Sequence, residues 1–299
     1  MSVPTLSVEQ ATARARSLFD GEGVPASHLQ RALTREFVDL PNRHELERSV
    51  ADDAAAAARW HDISSPRASY ALSACPDDPE LSLTDDECRV AMRDRFGLLP
   101  ESIPGRPCVC GSQVDNAHPH ACPLMRRRGV LLRHNLIARA LRLLGHRLGF
   151  VVQDEPVFST PGSPRLVPDI LFAAPGLLAL VDVSVVHASA SSHLSSTVDQ
   201  LVSRREAAKH RKYDALAAQH HAMLVPFVVS SGGYLGPEAL RLLDLLSAHA
   251  MWPLHCSASA FIRRAVWLIA VSIFRGNAAV IRSWLLMQAQ AVFAPPSHL

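Results

Sequence analysis

The stretch VPDILFAAPGLLALVDVSV (residues 167–185) decides the fold, because it holds two short apolar runs on either side of the turn AAPG (173–176). Apolar runs of this length, bounded by Pro and Gly, are typical of buried strands. Each run carries one acid: Asp169 directly follows Pro168, and Asp182 comes after 12 more residues. A proline is tolerated at the edge of a sheet or at the beginning of a strand, so we expect one of these two positions for the first run. The turn then brings two carboxylates onto neighbouring strands.

The segments on either side extend this pattern into an α/β unit. Residues 127–145 (RRGVLLRHNLIARALRLLG) have apolar side chains at helical spacing and predict a helix that ends at Gly145. Strand patterns cover residues 148–158 and 223–231, and a helical pattern covers 198–221. The predicted order is therefore helix, three strands, helix, strand.

The composition is that of a globular protein with an uneven distribution of charge. Of the 299 residues, 48% are apolar and 19% are charged, which allows a sizeable core. Residues 1–100 carry 17 acidic against 11 basic side chains, whereas residues 101–299 carry 11 against 19. Only the second part therefore suits a polyanion. No signal peptide is recognisable, and the longest apolar run (265–274) is half of the roughly 20 residues that cross a membrane. We expect an intracellular protein without a membrane partner.

The N-terminal part predicts helices. In LTDDECRVAMRDRFG (83–97), Thr84 and Glu87 have the spacing of a capping box. Cys88, Met92 and Phe96 would lie on the apolar stripe of this helix. The connector that follows is rich in Pro and Gly and indicates a boundary near residue 100. We divide the chain into a helical linker, a segment rich in cysteine and histidine, an α/β core and a helical extension, at residues 1–100, 101–128, 129–236 and 237–299.

Three of the six cysteines fall in one 15-residue window, CVCGSQVDNAHPHAC (108–122), beside two histidines. Zinc takes four N or S ligands in a tetrahedron, and three cysteines with one histidine supply them. We predict a structural Zn²⁺ site, with His120 as the alternative to His118 and a reduced loop without metal as the competing interpretation. Its predicted ligands are Cys108, Cys110, His118 and Cys122.

The only two lysines, Lys209 and Lys212, stand three residues apart in AAKHRKY (207–213). A compact ammonium is not interchangeable with the planar guanidinium that the other basic residues carry, so retention of lysine here predicts a chemical role. Residues at this spacing share a helix face, and the sequence does not decide which of the two reaches the acids. The other interpretation is a solvated basic helix that contacts DNA phosphates.

Two acids and a lysine are the components of a metal-dependent phosphodiesterase. Mg²⁺ (or Mn²⁺) held by Asp169 and Asp182 would activate a water and stabilise the leaving oxygen. Glu155, in the preceding strand pattern, is the expected third metal ligand. The lysine would orient the water or stabilise the phosphate in the transition state.

Taken in order, these motifs resemble one branch of the PD-(D/E)XK nuclease superfamily. The branch is the restriction-like endonuclease domain at the C-terminus of site-specific non-LTR (LINE-type) retrotransposon reverse transcriptase polyproteins. The resemblance covers residues 108 to about 290. It rests on CVCG (108–111) with His118 and Cys122, RHN (133–135), Glu155-Pro156, Pro168-Asp169 with Asp182, KHRKY (209–213), SSGGYLG (230–236) and RGNA (275–278). One departure from the superfamily is Ser184, which stands where a lysine is usual; in this branch the lysine lies on the following helix.

The resemblance implies a restriction-endonuclease-like αβββαβ core and a Mg-dependent endodeoxyribonuclease. Such an enzyme nicks target DNA so that the exposed 3′ end primes reverse transcription of the element's RNA. Double-stranded DNA, element RNA and a reverse transcriptase are the implied partners, and the nucleus is the implied location. The catalytic residues would be the two aspartates and the lysine pair. The expected nucleic-acid contacts are Arg126, Arg127, Arg128, Arg133, His134 and Tyr213.

Two other functions remain open from the sequence. The chain could be a catalytically inactive, truncated or domesticated nucleic-acid-binding remnant of such an element, although its acids and lysines are intact. A purely structural helical interaction protein would leave both the Pro-Asp-x12-Asp spacing and the lysine pair without an explanation.

Overall fold

The computed structural model describes residues 40–65, 67–74, 77–98, 107–158, 166–251 and 257–293. Its helices are α1 (Leu40–Ser49), α2 (Ala54–Ile63), α3 (Tyr70–Ser73), α4 (Asp85–Arg95), α5 (His118–Ala121), α6 (Gly129–Arg147), α7 (Val198–Gln219), α8 (Pro237–Ala248) and α9 (Ala258–Phe293). Its strands are β1 (Val151–Asp154), β2 (Ile170–Ala174), β3 (Leu177–Val186) and β4 (Met223–Ser230). Short 3-10 turns occupy Pro79–Leu81, Pro123–Met125 and Ser191–His193.

The pattern of contacts between residues divides the chain into two compact units, with the division between Ala57 and Ala58. In the first unit, Asp53 caps the start of α2, since its carboxylate accepts hydrogen bonds from the backbone N–H groups of Ala55 and Ala56. The first 39 residues of the predicted linker and the boundary near residue 100 lie outside the described residues. The four-part division of the chain stays a prediction.

The fold of the second unit is mixed α/β, built on one four-stranded sheet in the order β1-β2-β3-β4. The pairs β1/β2 and β2/β3 are antiparallel, whereas β3 and β4 are parallel and are joined through α7. This confirms the predicted order of α6, three strands, α7 and β4. Pro168 lies two residues before β2, so the strand begins after the proline and occupies an interior position of the sheet.

The two faces of β3 have different surroundings, because successive side chains of a strand point to opposite faces. Val181 and Val183 belong to the main core, together with apolar residues of α6, α8 and α9. On the other face, Leu180 and Val186 pack in two smaller apolar clusters under α7. The polar side chains of Asp182 and Ser184 lie between these two clusters, so α7 covers a polar strip of the sheet.

The end of α6 differs from its prediction. Gly145 does not end the helix, which continues to Arg147, and Gly149, with φ +82°, lies just beyond it. A Cβ atom on Gly145 would come within 2.4 Å of the ring of Phe172 on β2. Gly145 therefore lets the helix pack closely on the sheet.

Helix α4 confirms one prediction and corrects another. The capping box is present: Thr84 accepts a hydrogen bond from the Glu87 backbone, and Glu87 accepts one from the Thr84 backbone. The predicted apolar stripe is wrong at Cys88 and Phe96, which are exposed, whereas Met92 is half-buried against α9. The buried position is Ala91, which packs against α9. A small residue allows the two helices to approach each other.

Helix α9 is 36 residues long. By length and composition alone it could cross a membrane, but 78% of its most apolar stretch is buried inside the protein. It packs against α6 and α4 and supplies core residues such as Ile269 and Ile273. In this structure α9 is a core helix.

A buried chain of hydrogen bonds, the Arg133 network, connects Asp94, His120, Arg133, Asn277 and Ser231. His120 Nε2 lies 2.8 Å from Asp94 Oδ1, and Arg133 Nη1 lies 2.9 Å from His120 Nδ1. The same Nη1 donates to Asn277 Oδ1 at 3.0 Å, and Asn277 donates to the Ser231 carbonyl at 2.8 Å. Burial lowers the pKa of Arg133 to about 10, so the guanidinium is charged at neutral pH. The network joins α4, the Cys/His segment, α6, the end of β4 and α9.

Asp62, at the end of α2, is a second buried polar group and is 3% exposed. Its carboxylate accepts hydrogen bonds from the Ser230 hydroxyl and from the Gly232 backbone at 3.1 Å. Burial raises its pKa to about 6, with the hydrogen bonds and Arg95 acting in the opposite direction. A segment outside the predicted nuclease core is therefore bound to the SSGGYLG motif through an acid that resists ionisation.

We expect Asp62 to make stability fall as the pH rises. A carboxyl whose pKa is raised in the folded state stabilises fully below its unfolded pKa, and this contribution is lost as the pH passes the folded pKa. Relative to Asp62→Asn, which does not titrate, the free energy of unfolding of the wild type should fall by about 2 kcal/mol between pH 4 and pH 7. Urea denaturation at both pH values measures this difference. Asp244→Asn, at an exposed position, is the control, and a difference between wild type and Asp62→Asn that does not change with pH would contradict the prediction.

Candidate functional site

Asp169 is held in place from two sides. Its own backbone N–H donates to the Val181 carbonyl at 3.0 Å, and its Oδ2 accepts the Val183 backbone N–H at 2.6 Å. In a longer β2 strand, the backbone could accept this hydrogen bond from β3. Here the Asp169 carboxylate accepts it instead. Its Oδ1 lies 3.1 Å from His134 Nε2. The side chain of Asp169 is 21% exposed, so the fixed carboxylate remains accessible to solvent.

Asp182 lies in the middle of β3, next to Asp169 across the β2/β3 pair, and its side chain is 6% exposed. Lys209 reaches down from α7 and forms an ion pair with Asp182 Oδ2. The hydroxyl of Tyr213 is a second polar neighbour of Asp182. Carboxylate oxygens are the ligands that hard metal ions prefer, so the chemistry of Asp169 and Asp182 is compatible with such an ion.

The structure distinguishes the two lysines that the sequence left equivalent. Lys209 contacts Asp182, whereas Lys212 donates to the Tyr213 hydroxyl at 2.6 Å and lies over its ring. Tyr213 is 1% exposed and donates to the Val167 carbonyl at 3.2 Å. Burial raises the pKa of Tyr213, and the carboxylates of Asp182 and Asp169 raise it further. The phenol is therefore a neutral wall of the site, and its buried ring is not available for the predicted nucleic-acid contact.

Glu155 does not join the two aspartates. The strand β1 ends at Asp154, and Glu155 has the left-handed φ of +41° and is exposed. Within the described ranges, one group of three or more His, Cys, Asp or Glu side chains has all its ligand atoms within 4.8 Å, and it is the Cys/His group. The expected three-acid arrangement with Glu155 is therefore not formed in this structure.

His134 was predicted to contact nucleic acid, but its Nε2 faces Asp169 Oδ1 at 3.1 Å. The side chain is 27% exposed and projects from the same helix as Arg133. No sequence pattern related His134 to the acids, because 34 residues separate it from Asp169 in the chain. Its place follows from the packing of α6 across the sheet.

The four arginines that were expected to contact nucleic acid differ in their exposure to solvent. Arg126, Arg127 and Arg128 are all exposed, which is compatible with the predicted phosphate contacts. Arg133 is 2% exposed and its guanidinium bonds to His120 and Asn277. A buried guanidinium cannot reach DNA phosphate, so Arg133 is corrected from a nucleic-acid contact to a structural residue.

The Cys/His cluster consists of Cys108, Cys110, His118 and Cys122, whose ligand atoms all lie within 4.8 Å of one another. Cys108 Sγ and Cys122 Sγ are 3.8 Å apart, and Cys110 Sγ and His118 Nε2 are 3.4 Å apart. Tetrahedral bonds of about 2.3 Å to sulfur and about 2.0 Å to nitrogen place such atoms about 3.8 and 3.5 Å apart. The cluster could therefore hold a metal such as zinc. Of the two candidate histidines His118 is the one in the cluster, because His120 belongs to the Arg133 network.

The local backbone shows how Cys108 and Cys110, with one residue between them, can both face the cluster. Gly111 has φ +86°, and its N–H donates to the Cys108 carbonyl at 2.7 Å, which closes a turn around the first two cysteines. Asp115 accepts the backbone N–H of His118 at 2.7 Å and fixes the start of α5. Burial lowers the pKa of His118, with Asp115 acting in the opposite direction, so the imidazole is in the neutral form that binds metals.

The cluster is packed against the end of α9. The Trp284 indole N–H and the Gln288 amide approach Cys108 Sγ at 3.4 and 2.9 Å. The Gln288 carbonyl also accepts the Val109 backbone N–H at 3.2 Å. Hydrogen bonds to a metal ligand orient it. Trp284 and Gln288 therefore help to position Cys108.

We expect protein purified without chelator to carry about one equivalent of Zn²⁺, because a closed Cys₃His set is typical of structural zinc sites. Cys108→Ser and Cys122→Ser should each reduce the zinc content severalfold, since each removes one of four ligands. Cys88→Ser, which changes an exposed cysteine outside the cluster, is the matched control and should keep its zinc. Elemental analysis of the three variants measures this. Wild-type protein without zinc would contradict the prediction.

No protein-family model matches the chain. A curated protein that it resembles is the 132 kDa protein of the retrotransposable element SLACS from Trypanosoma brucei gambiense. The two are 28% identical over 173 residues, which cover 52% of this chain and 14% of that protein. The chain thus spans a small part of the relative's length. The similarity supports a retrotransposon-derived protein, and it leaves the type of domain to be argued from the site.

Proposed function

We propose that the chain is a metal-dependent DNA endonuclease with a restriction-endonuclease-like core, which nicks target DNA for a retroelement. The observation that carries this proposal is the meeting of Asp169, Asp182 and Lys209, which come from the start of β2, the middle of β3 and the helix α7. Two fixed carboxylates beside one ammonium are what hydrolysis of a phosphodiester requires.

Asp169 and Asp182 would hold Mg²⁺ (or Mn²⁺), which when bound lowers the pKa of a water and stabilises the leaving oxygen. The protein's own part is to fix these ligands. The Val183 N–H and His134 hold the Asp169 carboxylate, and Lys209 neutralises the buried Asp182. Lys209 would also donate to a phosphate oxygen, where its ammonium would stabilise the charge that develops in the transition state.

The substrate class follows from charge. Residues 101–299 carry 19 basic against 11 acidic side chains, and the exposed Arg126, Arg127 and Arg128 lie directly before α6, which also carries His134. Arginine binds phosphate through two parallel hydrogen bonds. Similarity to a retrotransposon protein favours target DNA over other polyanions. Element RNA, a reverse transcriptase supplied by the rest of the element and a nuclear location are part of the same proposal.

The test is nicking of supercoiled plasmid by the purified chain in Mg²⁺, followed by gel separation of supercoiled and open-circular DNA. We expect open circles in Mg²⁺ or Mn²⁺ and none in EDTA. In Ca²⁺ we expect binding without cutting. DNA binding in Ca²⁺ without nicking in Mg²⁺ or Mn²⁺ would reject the enzyme in favour of a binding remnant.

A further inference from the structure

Arg205 lies one helical turn before Lys209 on α7 and reaches toward the same strand. Its Nε donates to the Ser184 hydroxyl at 3.1 Å. Ser184 is two residues after Asp182 on β3 and is 4% exposed, so its side chain is on the same face of the sheet as the acid. The buried hydroxyl thus fixes an arginine that is itself exposed.

Among the described residues the guanidinium of Arg205 is bonded to Ser184 and forms no ion pair with an acid. By contrast, Arg142 pairs with Asp154 and Arg241 with Glu238. The neighbouring acid Glu206 turns away and accepts the backbone N–H of Glu238 at 3.2 Å. An oriented cation without a counter-ion, beside a site that would act on a polyanion, is arranged to receive an anion from outside the protein.

We propose that Arg205 binds a backbone phosphate of the nucleic acid next to the scissile one, with Ser184 as the residue that orients it. This proposal rests on the proposed function of the acidic site. The hydrogen bond to Ser184 uses Nε and leaves both terminal nitrogens for two parallel bonds to one phosphate. Residues four apart on a helix have their Cβ atoms about 5–6 Å from each other, so Arg205 and Lys209 can meet neighbouring phosphates of one strand.

The chemistry predicts a different effect for each of the two residues. Arg205→Gln removes one charge that neutralises a phosphate, so the slope of log affinity against log salt should become shallower by about 0.9. Ser184→Ala keeps the charge and removes the orienting hydroxyl, so affinity should fall severalfold while the slope stays the same. Arg205→Lys keeps the charge as a single point and should retain the slope with a smaller loss of affinity.

The experiment measures binding of a fluorescent DNA duplex in Ca²⁺ over a series of salt concentrations, followed by single-turnover nicking in Mg²⁺. Arg204→Gln is the matched control, because Arg204 is the next residue but is bonded to the Gln200 carbonyl and to Ser196 within its own helix start. For Arg205→Gln we expect roughly tenfold weaker binding. At subsaturating DNA its nicking rate should fall by the same factor as its affinity, because less of the DNA is bound. Zinc content checks that each variant is folded.

Equal affinity and equal salt slope for Arg205→Gln and wild type would overturn this assignment. So would the same change of slope in Arg204→Gln, since the effect would then be one of general charge on α7. The binding measurement needs no cleavage. If wild-type protein binds but never nicks, the proposed function fails, whereas the Arg205 contact is still decided by the salt slope.

Discussion

Replacing Asp182 with asparagine is expected to reduce nicking of supercoiled DNA by about a thousandfold or more. Loss of a residue that only hydrogen-bonds a metal ligand costs roughly 10- to 100-fold, and Asp182 would be a ligand itself. Asparagine is preferable to alanine here, because it keeps the volume of the buried side chain and an oxygen that can accept from the Lys209 ammonium. Either change leaves that ammonium without its counter-ion, but asparagine opens no cavity.

Asp169→Asn is the companion variant. Its amide oxygen can still accept the Val183 N–H, so the backbone around β2 should be retained while one anionic ligand is lost. Asp154→Asn is the control, since Asp154 is 59% exposed on β1 and pairs with Arg142 away from the other two acids. Single-turnover nicking at saturating DNA measures all three. Nicking by Asp182→Asn at the wild-type rate would remove the basis of the nuclease proposal.

Lys209→Arg is expected to cut roughly a hundredfold more slowly while it binds DNA almost normally. The positive charge that attracts phosphate remains, but loss of a single well-placed donor in the transition state costs about two to three orders of magnitude. Lys209 is 15% exposed and packed between α7 and Asp182, so the wider guanidinium cannot take the same position. The variant should therefore show slow single-turnover nicking in Mg²⁺ and nearly normal affinity in Ca²⁺.

Lys212→Arg is the control for this prediction, three residues along the same helix. Because the Lys212 ammonium lies over the ring of Tyr213 and donates to its hydroxyl, its replacement should slow cutting by a few-fold at most. Equal losses in both variants would mean that the two lysines contribute only basic charge. Full activity of Lys209→Arg would remove the lysine from the proposed chemistry.

Much of the fold could be predicted because its signals are local. The apolar runs around the AAPG turn, the helical period after Arg128 and the capping box at Thr84 each depend on a few neighbouring residues, and the structure contains all of them. The four cluster ligands were predictable for the same reason, since they lie within 15 residues of one another. Short-range patterns of this kind need no knowledge of how elements pack.

The rest depended on packing, which a single sequence does not encode in any short pattern. The spacing of Lys209 and Lys212 places them on one helix face. Only the way in which α7 packs on β3 determines that Lys209 is the one that contacts Asp182. Arg133 was expected to contact nucleic acid, yet its guanidinium is buried against His120 and against Asn277, which lies 144 residues later. Gly145 has the sequence of a helix end, but what requires a glycine there is the Phe172 ring.

The Arg133 network also has a consequence for the order in which the protein is made. Asn277 leaves the ribosome after every residue of the acidic site, and until then the guanidinium of Arg133 lacks one of its two side-chain acceptors. A nascent chain that ends before α9 also lacks the apolar residues that this helix adds to the core, such as Ile269 and Ile273. We therefore expect such a chain to hold both aspartates and Lys209 on an incompletely packed core.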